Sequence, residues 1–212
     1  MGIIIARWPG QLFTARLGRI RSWVVCRLGD SRHEQRVMQI AVALFDLTAK
    51  SHHLKPRHRR CLELAALLHD IGRVHGTERH NIYGERMLRD GSVPHLRACE
   101  RAILAHLTRY HRGPVPAKGD EWAHPELESP RSMQLMLGML RAADALDSRN
   151  FPTPALSIRL KEGRLRIRCY VHDLPKAQEC FLEKKKYRLV EELLNLRVQI
   201  ELRHAASADI IL

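Results

Sequence analysis

The chain has 212 residues, of which 45% are hydrophobic and 5% are aromatic. This length is typical of one compact domain with a small appendage, and the ordinary composition excludes collagen-like, coiled-coil and disordered proteins. Thirty-six lysines and arginines against 23 acidic residues give a net charge of +13, which attracts polyanions such as nucleic acid, polyphosphate and nucleotides.

Residues 1–29 are predicted to be a basic N-terminal extension. They carry five arginines, no acidic residue and several short apolar clusters. Three of the arginines, Arg16, Arg19 and Arg21, interrupt the continuous apolar core that a signal peptide needs. We expect a mobile arm or an over-long translation start, with a helix for membrane-surface or organellar targeting as the alternative.

Helical periodicity begins after this extension. Asp30 or Ser31 can cap a first helix, and a basic loop is predicted over residues 50–60. The nearly all-apolar run at residues 61–68 predicts a buried helix that ends at Gly72 in a left-handed conformation. Further helices are predicted at residues 83–89, 95–110 and 130–147.

The pattern changes beyond residue 150. Residues 155–160 and 165–171 alternate between apolar and polar side chains around a turn with Gly163, which predicts a β-hairpin. The segments after this hairpin are predicted to be a charged amphipathic helix and a last strand, at residues 175–195 and 196–202.

The predicted fold class is therefore mainly α. A helical bundle over residues 30–150 carries a small C-terminal ββαβ unit over residues 151–212. No apolar run approaches the roughly 20 residues that a membrane helix requires. The five cysteines show no CxxC spacing, which argues against a disulfide framework or zinc ribbon and favours the reducing cytoplasm.

Ionisable residues occur on three of the predicted apolar helices. His69 and Asp70 follow eight mostly apolar residues, Asp144 follows a second apolar helix, and His33 lies on the predicted buried face of a third. Burying such groups costs several kcal/mol unless they are paired or bind a metal. Each residue alone is more often a hydrogen-bonded core residue or a cap. Their combination favours a shared divalent cation.

In this His…His-Asp…Asp pattern the chain resembles the HD superfamily of metal-dependent phosphohydrolases. The resemblance implies metal ligation by His33, His69, Asp70 and Asp144. The HD-GYP phosphodiesterases of that superfamily are also similar, and this similarity implies second-metal ligands at His80, His106 and His111. The last two are five residues apart instead of adjacent, and no GYP sequence follows them, so cyclic-dinucleotide specificity is not carried over.

The same resemblance suggests how substrate would be held. Arg73 falls where these enzymes place a basic residue against substrate phosphate, and we predict Arg109 and Arg112 as further phosphate-binding residues. A solvated surface role is at least as compatible with Arg109. Asp70 is predicted to be catalytic because it could bridge two metals and hold the attacking hydroxide. Mixed nitrogen and oxygen ligands leave Mn, Fe, Zn, Ni or Mg open for the one or two ions.

A second resemblance, covering about residues 30–204, is to the C-terminal region of the exopolyphosphatase and guanosine-pentaphosphate phosphatase family. It is carried by residues 105–113, residues 140–147 and the ββαβ tail. The actin-like domains that hold the hydrolytic site of that family have no counterpart in this sequence. Exopolyphosphatase activity is therefore not carried over with the resemblance.

The expected function is a cytoplasmic phosphohydrolase that cleaves a phosphate ester or anhydride of a nucleotide, an alarmone or a short polyphosphate by a metal-activated water. The alternatives are a non-catalytic polyanion- or nucleotide-binding regulatory module derived from an exopolyphosphatase accessory domain, and a di-iron oxygenase. The expected partner is a phosphate-containing small molecule or polyphosphate. Nucleic acid is the less favoured partner, no membrane span is expected, and a homodimer stays open. The arginines of the predicted hairpin could form a basic sheet for a polyanion.

Overall fold

The computed structural model describes residues 2–5, 15–116, 128–149, 151–182 and 184–205. Within these ranges the chain is mainly α-helical and carries one small four-stranded sheet. The predicted fold class is confirmed. In the same part of the chain, no helix combines the length and the apolar character needed to cross a membrane.

The helices pack around an apolar core in which many leucine side chains are fully buried. A short 3-10 turn, Ile71–His75, follows the fourth helix and leads into the fifth. The helices of this part are α1 (Ala15–Leu28), α2 (Arg32–Leu47), α3 (Ala49–His52), α4 (Pro56–Leu68), α5 (His80–Arg89), α6 (Ala98–Tyr110) and α7 (Pro130–Ala145).

Local sequence explains where several of these helices begin. The carboxylate of Asp30 accepts hydrogen bonds from the backbone N–H groups of Ser31 and Arg32, as expected at a helix start. Proline occupies the first position of α4, where its missing N–H costs nothing.

The prediction of a loop over residues 50–60 is wrong in part, because α3 and α4 extend into this range. Of its exposed basic residues, Lys50 belongs to α3 and Arg57 and Arg60 belong to α4, whereas His53 and Lys55 lie between the two helices.

The sheet has the order β1 (Gly2–Ile5), β2 (Ala155–Lys161), β3 (Arg164–Val171) and β4 (Arg197–His204). β2 pairs antiparallel with both β1 and β3, and β4 is parallel to β3. A parallel pair needs a crossover connection, which explains the helices between β3 and β4. The buried face of the hairpin consists of apolar residues, Leu156, Ile158, Leu165, Ile167 and Cys169.

The crossover contains two helices instead of the single predicted one. They are α8 (Leu174–Phe181) and α9 (Arg188–Leu194), separated by a 3-10 turn at Lys184–Lys186. At the break the buried Tyr187 hydroxyl donates a hydrogen bond to the carbonyl of Phe181, over 3.1 Å. The amphipathic pattern predicted one continuous helix here, and the structure instead has two helices joined by this local contact.

The N-terminal residues do not behave as the predicted mobile arm at the positions the structure describes. β1 is an edge strand of the sheet, and the side chains of Ile20 and Val24 on α1 are fully buried. Arg16 forms a bidentate ion pair with Glu100 on α6. In the sequence, the arginines of α1 interrupt the apolar run and so hide the periodicity of the helix face that packs against the core. Residues 6–14 lie outside the described residues.

Candidate metal centre

Four predicted ligands converge where the N-terminus of α2 meets the C-terminal ends of α4 and α7. Nε2 of His33 lies 3.5 Å from Oδ1 of Asp144, and Nε2 of His69 lies 3.6 Å from the same oxygen. Oδ1 of Asp70 is 3.8 Å from Nε2 of His69. His33, His69 and Asp70 each offer one ligand atom within 4.8 Å of the others.

A second group of possible ligands shares Asp70 with the first. Nε2 of His80 lies 2.9 Å from Oδ1 of Asp70 and 3.1 Å from Nε2 of His111. Nε2 of His111 is 3.7 Å from the same aspartate oxygen. All three residues are buried. One carboxylate therefore stands between two clusters of imidazole nitrogens.

The four histidines share one orientation. In His69, His80 and His111, Nδ1 lies 2.7–2.8 Å from the backbone carbonyl three residues earlier, and Nδ1 of His33 lies 3.0 Å from Oδ2 of Asp147. In the neutral form of each ring Nδ1–H can donate to its oxygen, which leaves the lone pair on Nε2 directed toward the cluster. A second hydrogen bond of this kind is how proteins orient metal-ligating histidines.

These residues fit one or two divalent cations. Nε2 of His69 is buried and has no hydrogen-bond partner among the described residues, which is costly for a polar atom unless a cation binds it. Ligand atoms around an ion at about 2.1 Å lie roughly 3.0–3.4 Å apart, close to the spacings around His80. Imidazole and carboxylate donors accommodate Mn, Fe, Zn or Ni and do not select one of them.

The charges of the cluster depend on one another. Burial alone would lower the pKa of His33, but contacts with Asp144 and a second carboxylate raise it to about 10. Burial would raise the pKa values of Asp70 and Asp144, but the neighbouring histidines hold both well below the usual range. Burial lowers the pKa of His111 to about 3. Both carboxylates and His111 are thus in their metal-binding protonation states at neutral pH.

Gly72 brings the second ligand group together by allowing close backbone contact. A Cβ atom at this position would lie 2.0 Å from the carbonyl oxygen of His80 and 2.3 Å from the backbone nitrogen of Gly84. The 3-10 turn can therefore approach α5 closely enough to bring Asp70 to His80. The predicted left-handed conformation of Gly72 is wrong, because its φ is not positive. The small residue is needed for packing.

A cavity of about 280 Å³ opens above the cluster, and its wall carries cations. Nη1 of Arg73 lies 3.7 Å from Oδ2 of Asp70, and Nη1 of Arg112 donates to the carbonyl oxygen of Thr77 over 3.4 Å. Both were predicted from the sequence, and both line the cavity. Together they provide donors for a phosphate group directly beside the ligands.

Two further cations of this wall were not predicted. Nε of Arg149 donates to Oδ2 of Asp70 over 2.8 Å, and its Nη2 pairs with the buried carboxylate of Glu34. Nζ of Lys186 lies 3.6 Å from Oδ2 of Asp144. Arg149 follows α7 in a segment without periodicity, so no sequence signal indicated it. Lys186 lies in a lysine run that is typical of a solvated helix face.

Two predicted site residues are not brought to the cavity. His106 is absent from its lining and from both ligand groups within the described residues, and its ring packs against the ring of Tyr110 at a tilt of 55° instead. Five residues along a helix correspond to a rotation of about 140°, so His106 and His111 point in different directions. Arg109 lies outside the lining as well, with Nε 3.3 Å from Oε2 of Glu85.

A known protein family matches the chain. The family described as Ppx/GppA phosphatase, domain III, matches residues 28–164, well over half of the chain. The matched region begins just before α2 and ends at the start of β3, so it contains every residue of both ligand groups. No curated protein matches the chain at a significant level.

Proposed function

The chain belongs to the Ppx/GppA phosphatase domain III family, and we propose that it is a metal-dependent phosphohydrolase of the HD superfamily. Its substrate in this proposal is a phosphate ester or anhydride, such as a nucleotide, an alarmone or a short polyphosphate. The observation that carries the proposal is the set of four histidines whose Nδ1 atoms are anchored while their Nε2 atoms face two aspartates. A structural core needs no such arrangement.

The residues of the cluster have distinct roles in this proposal. His33, His69, Asp70 and Asp144 would hold one ion, and Asp70, His80 and His111 would hold a second. When bound, such an ion lowers the pKa of a water molecule and neutralises charge that develops on the phosphoryl group. Asp70 is the proposed catalytic residue because its carboxylate belongs to both groups.

The cationic wall supplies the proposed substrate contacts. Arg73 and Arg112 would orient the phosphate group by hydrogen bonds from their guanidinium groups, and Lys186 would add a point charge. Arg149 holds the second oxygen of Asp70, which leaves Oδ1 directed toward the histidines. Binding and orientation of a phosphate between these groups and the ligand cluster is the positioning step of the reaction.

The test begins with the metal content of the purified protein, followed by a screen of phosphate esters and anhydrides with Mn²⁺. Asp70→Asn should abolish turnover. Arg73→Gln should mainly raise KM, because its charge contacts a phosphate present in both ground and transition states. Asp46→Asn, an exposed change of the same kind, is the control and should leave kcat and KM unchanged. Turnover that survives Asp70→Asn would contradict the proposal.

The second candidate function is a non-catalytic module that binds a polyanion or nucleotide and regulates a partner. The net charge of +13 favours it, as does the fact that the matching family description concerns domain III alone. This candidate predicts no turnover with any metal, together with salt-dependent binding that survives Asp70→Asn. Measurements of turnover and binding on the native protein and on Asp70→Asn therefore distinguish the two functions.

A further inference from the structure

The open face of the sheet carries a row of cations that the proposed function does not use. Strand register places Arg159 directly opposite Arg166, and Lys161 opposite Arg164. Arg168 continues the row on β3. Like charges directly opposite each other on neighbouring strands are destabilising. A row of this kind is stable in a folded protein when anions balance it.

The carboxylates that the structure describes balance this row only in part. One of them is Glu201 on β4, and the second is Glu162, which lies 3.4 Å from Nζ of Lys161. Three guanidinium groups share the carboxylate of Glu201. Nε of Arg166 lies 3.1 Å from its Oε1, and Nε of Arg168 and Nη2 of Arg203 lie 2.9 Å and 3.3 Å from its Oε2. Arg159 and Arg164 form no ion pair with any described residue. The surplus charge is therefore available to an external anion.

The row borders a groove of about 240 Å³ that shares no lining residue with the cavity over the metal centre. Four of its five cations are arginines. Guanidinium groups hold phosphate oxygens by paired hydrogen bonds, and their planes also stack on nucleobases. Tyr170 lies next along this face of β3, beyond the residues that line the groove, and its half-buried ring is of the kind that stacks on bases.

We infer that this face binds single-stranded nucleic acid, held mainly through its phosphodiester backbone. The charges alone would suit any polyphosphate, but the planar guanidinium groups and the ring of Tyr170 gain contacts only when the anion also carries bases. An open sheet face leaves room for unpaired bases. The inference is independent of the proposed function, because no ligand of the metal centre takes part in it.

The test measures binding of the full chain to a fluorescent oligouridylate of roughly 20 nucleotides by anisotropy, over about 50–200 mM salt. Arg159→Gln combined with Arg166→Gln should weaken binding more than tenfold at about 0.1 M salt and reduce the salt slope by about 1.4, since each phosphate contact to a single strand contributes about 0.7. The control combines Arg60→Gln with Arg86→Gln. It removes the same charge from exposed positions of α4 and α5 and should leave the affinity unchanged within about twofold.

Competition identifies the ligand class. Single-stranded RNA or DNA should displace the probe at lower concentration than inorganic polyphosphate or duplex of equal charge. Equal displacement by polyphosphate or duplex overturns the inference, and so does an equal loss of affinity in the control variant. The Arg159→Gln/Arg166→Gln variant should keep or raise the midpoint temperature of thermal unfolding, because it removes a like-charge contact while Arg168 and Arg203 still pair with Glu201. If that midpoint falls, Arg164→Gln alone, at an exposed position without an ion pair, must still weaken binding severalfold.

Discussion

Nδ1 of His33 lies 3.0 Å from Oδ2 of Asp147, although 114 positions separate the two residues in the chain. The carboxylate is buried and belongs to the segment that follows α7. It orients the imidazole so that Nε2 faces Asp144 at 3.5 Å. A residue outside both ligand groups therefore controls the direction of one proposed ligand.

Asp147→Asn should weaken Mn²⁺ binding by about 10–100-fold, because a neutral amide is a poorer acceptor for the His33 N–H and no longer increases the basicity of the ring. Isothermal titration calorimetry of the metal-free protein measures the change. Asp46→Asn should bind Mn²⁺ as the native protein does. Unchanged affinity in Asp147→Asn would show that the contact does not orient a ligand.

Gly72→Ala tests the close approach between the 3-10 turn and α5. The new methyl group would meet the carbonyl oxygen of His80 at 2.0 Å, so the two segments must separate. We expect a loss of about 1–3 kcal/mol of unfolding free energy and one Mn²⁺ fewer per chain in equilibrium dialysis.

Gly138→Ala is the matched control for this change. It also adds a methyl group to a buried helical glycine, but its nearest contact is a side-chain carbon of Val190 at 3.2 Å. It should retain the native metal stoichiometry. Identical stoichiometry in Gly72→Ala would mean that the backbone approach is not needed for the second ligand group.

Metal binding should release protons near neutral pH. With a pKa raised to about 10, His33 is protonated in the metal-free protein, and an ion can bind only to its neutral form. Affinity should therefore rise by about tenfold per pH unit for each proton displaced. Calorimetry at pH 7 in two buffers of different ionisation enthalpy counts the protons. His33→Gln should release one fewer, and an equal count in both proteins would refute the assignment.

The same pKa shift has a predictable effect on the metal-free fold. A histidine whose pKa rises on folding stabilises the native state fully below the ordinary value of 6.5, and this contribution is lost as the pH rises toward about 10. The metal-free protein should lose stability across that range in urea unfolding, and His33→Gln should lose less of it.

Ile20→Ala tests whether α1 belongs to the folded protein. This fully buried side chain packs in the core, so its truncation should cost about 2–5 kcal/mol of unfolding free energy. Arg19→Ala, at the exposed neighbouring position, should change stability by less than about 0.5 kcal/mol. Chemical denaturation compares the two variants. Equal stabilities would restore the interpretation of this segment as a mobile arm.

The sequence was most informative where ionisable residues interrupt apolar helices. His33, His69, Asp70 and Asp144 stand out because an apolar face has few other reasons to carry them, and the structure brings them together. The mainly helical architecture followed from the same periodicity. Both predictions depended on local pattern, which the sequence displays directly.

Features that depend on tertiary placement were missed or misassigned. His106 is a residue type that can bind a metal, but it points in another direction from His111, which directly follows α6. Arg149 lies in irregular chain beyond α7, and Asp147, which the predicted helix 130–147 included, also lies beyond the observed end of α7 at Ala145. Their importance arises from contacts with residues more than 70 positions away, which no local pattern encodes.

The pairing of β1 with β2 also bears on how the chain acquires its structure during synthesis. About 150 residues separate the two strands, so β1 leaves the ribosome roughly 8–30 s before its partner, at 5–20 residues per second. During that interval its isoleucine-rich edge has no strand to pair with. Contacts of such sequence separation slow folding. We therefore expect the helical part to fold first and the sheet to form last, when β1 pairs with β2 of the hairpin.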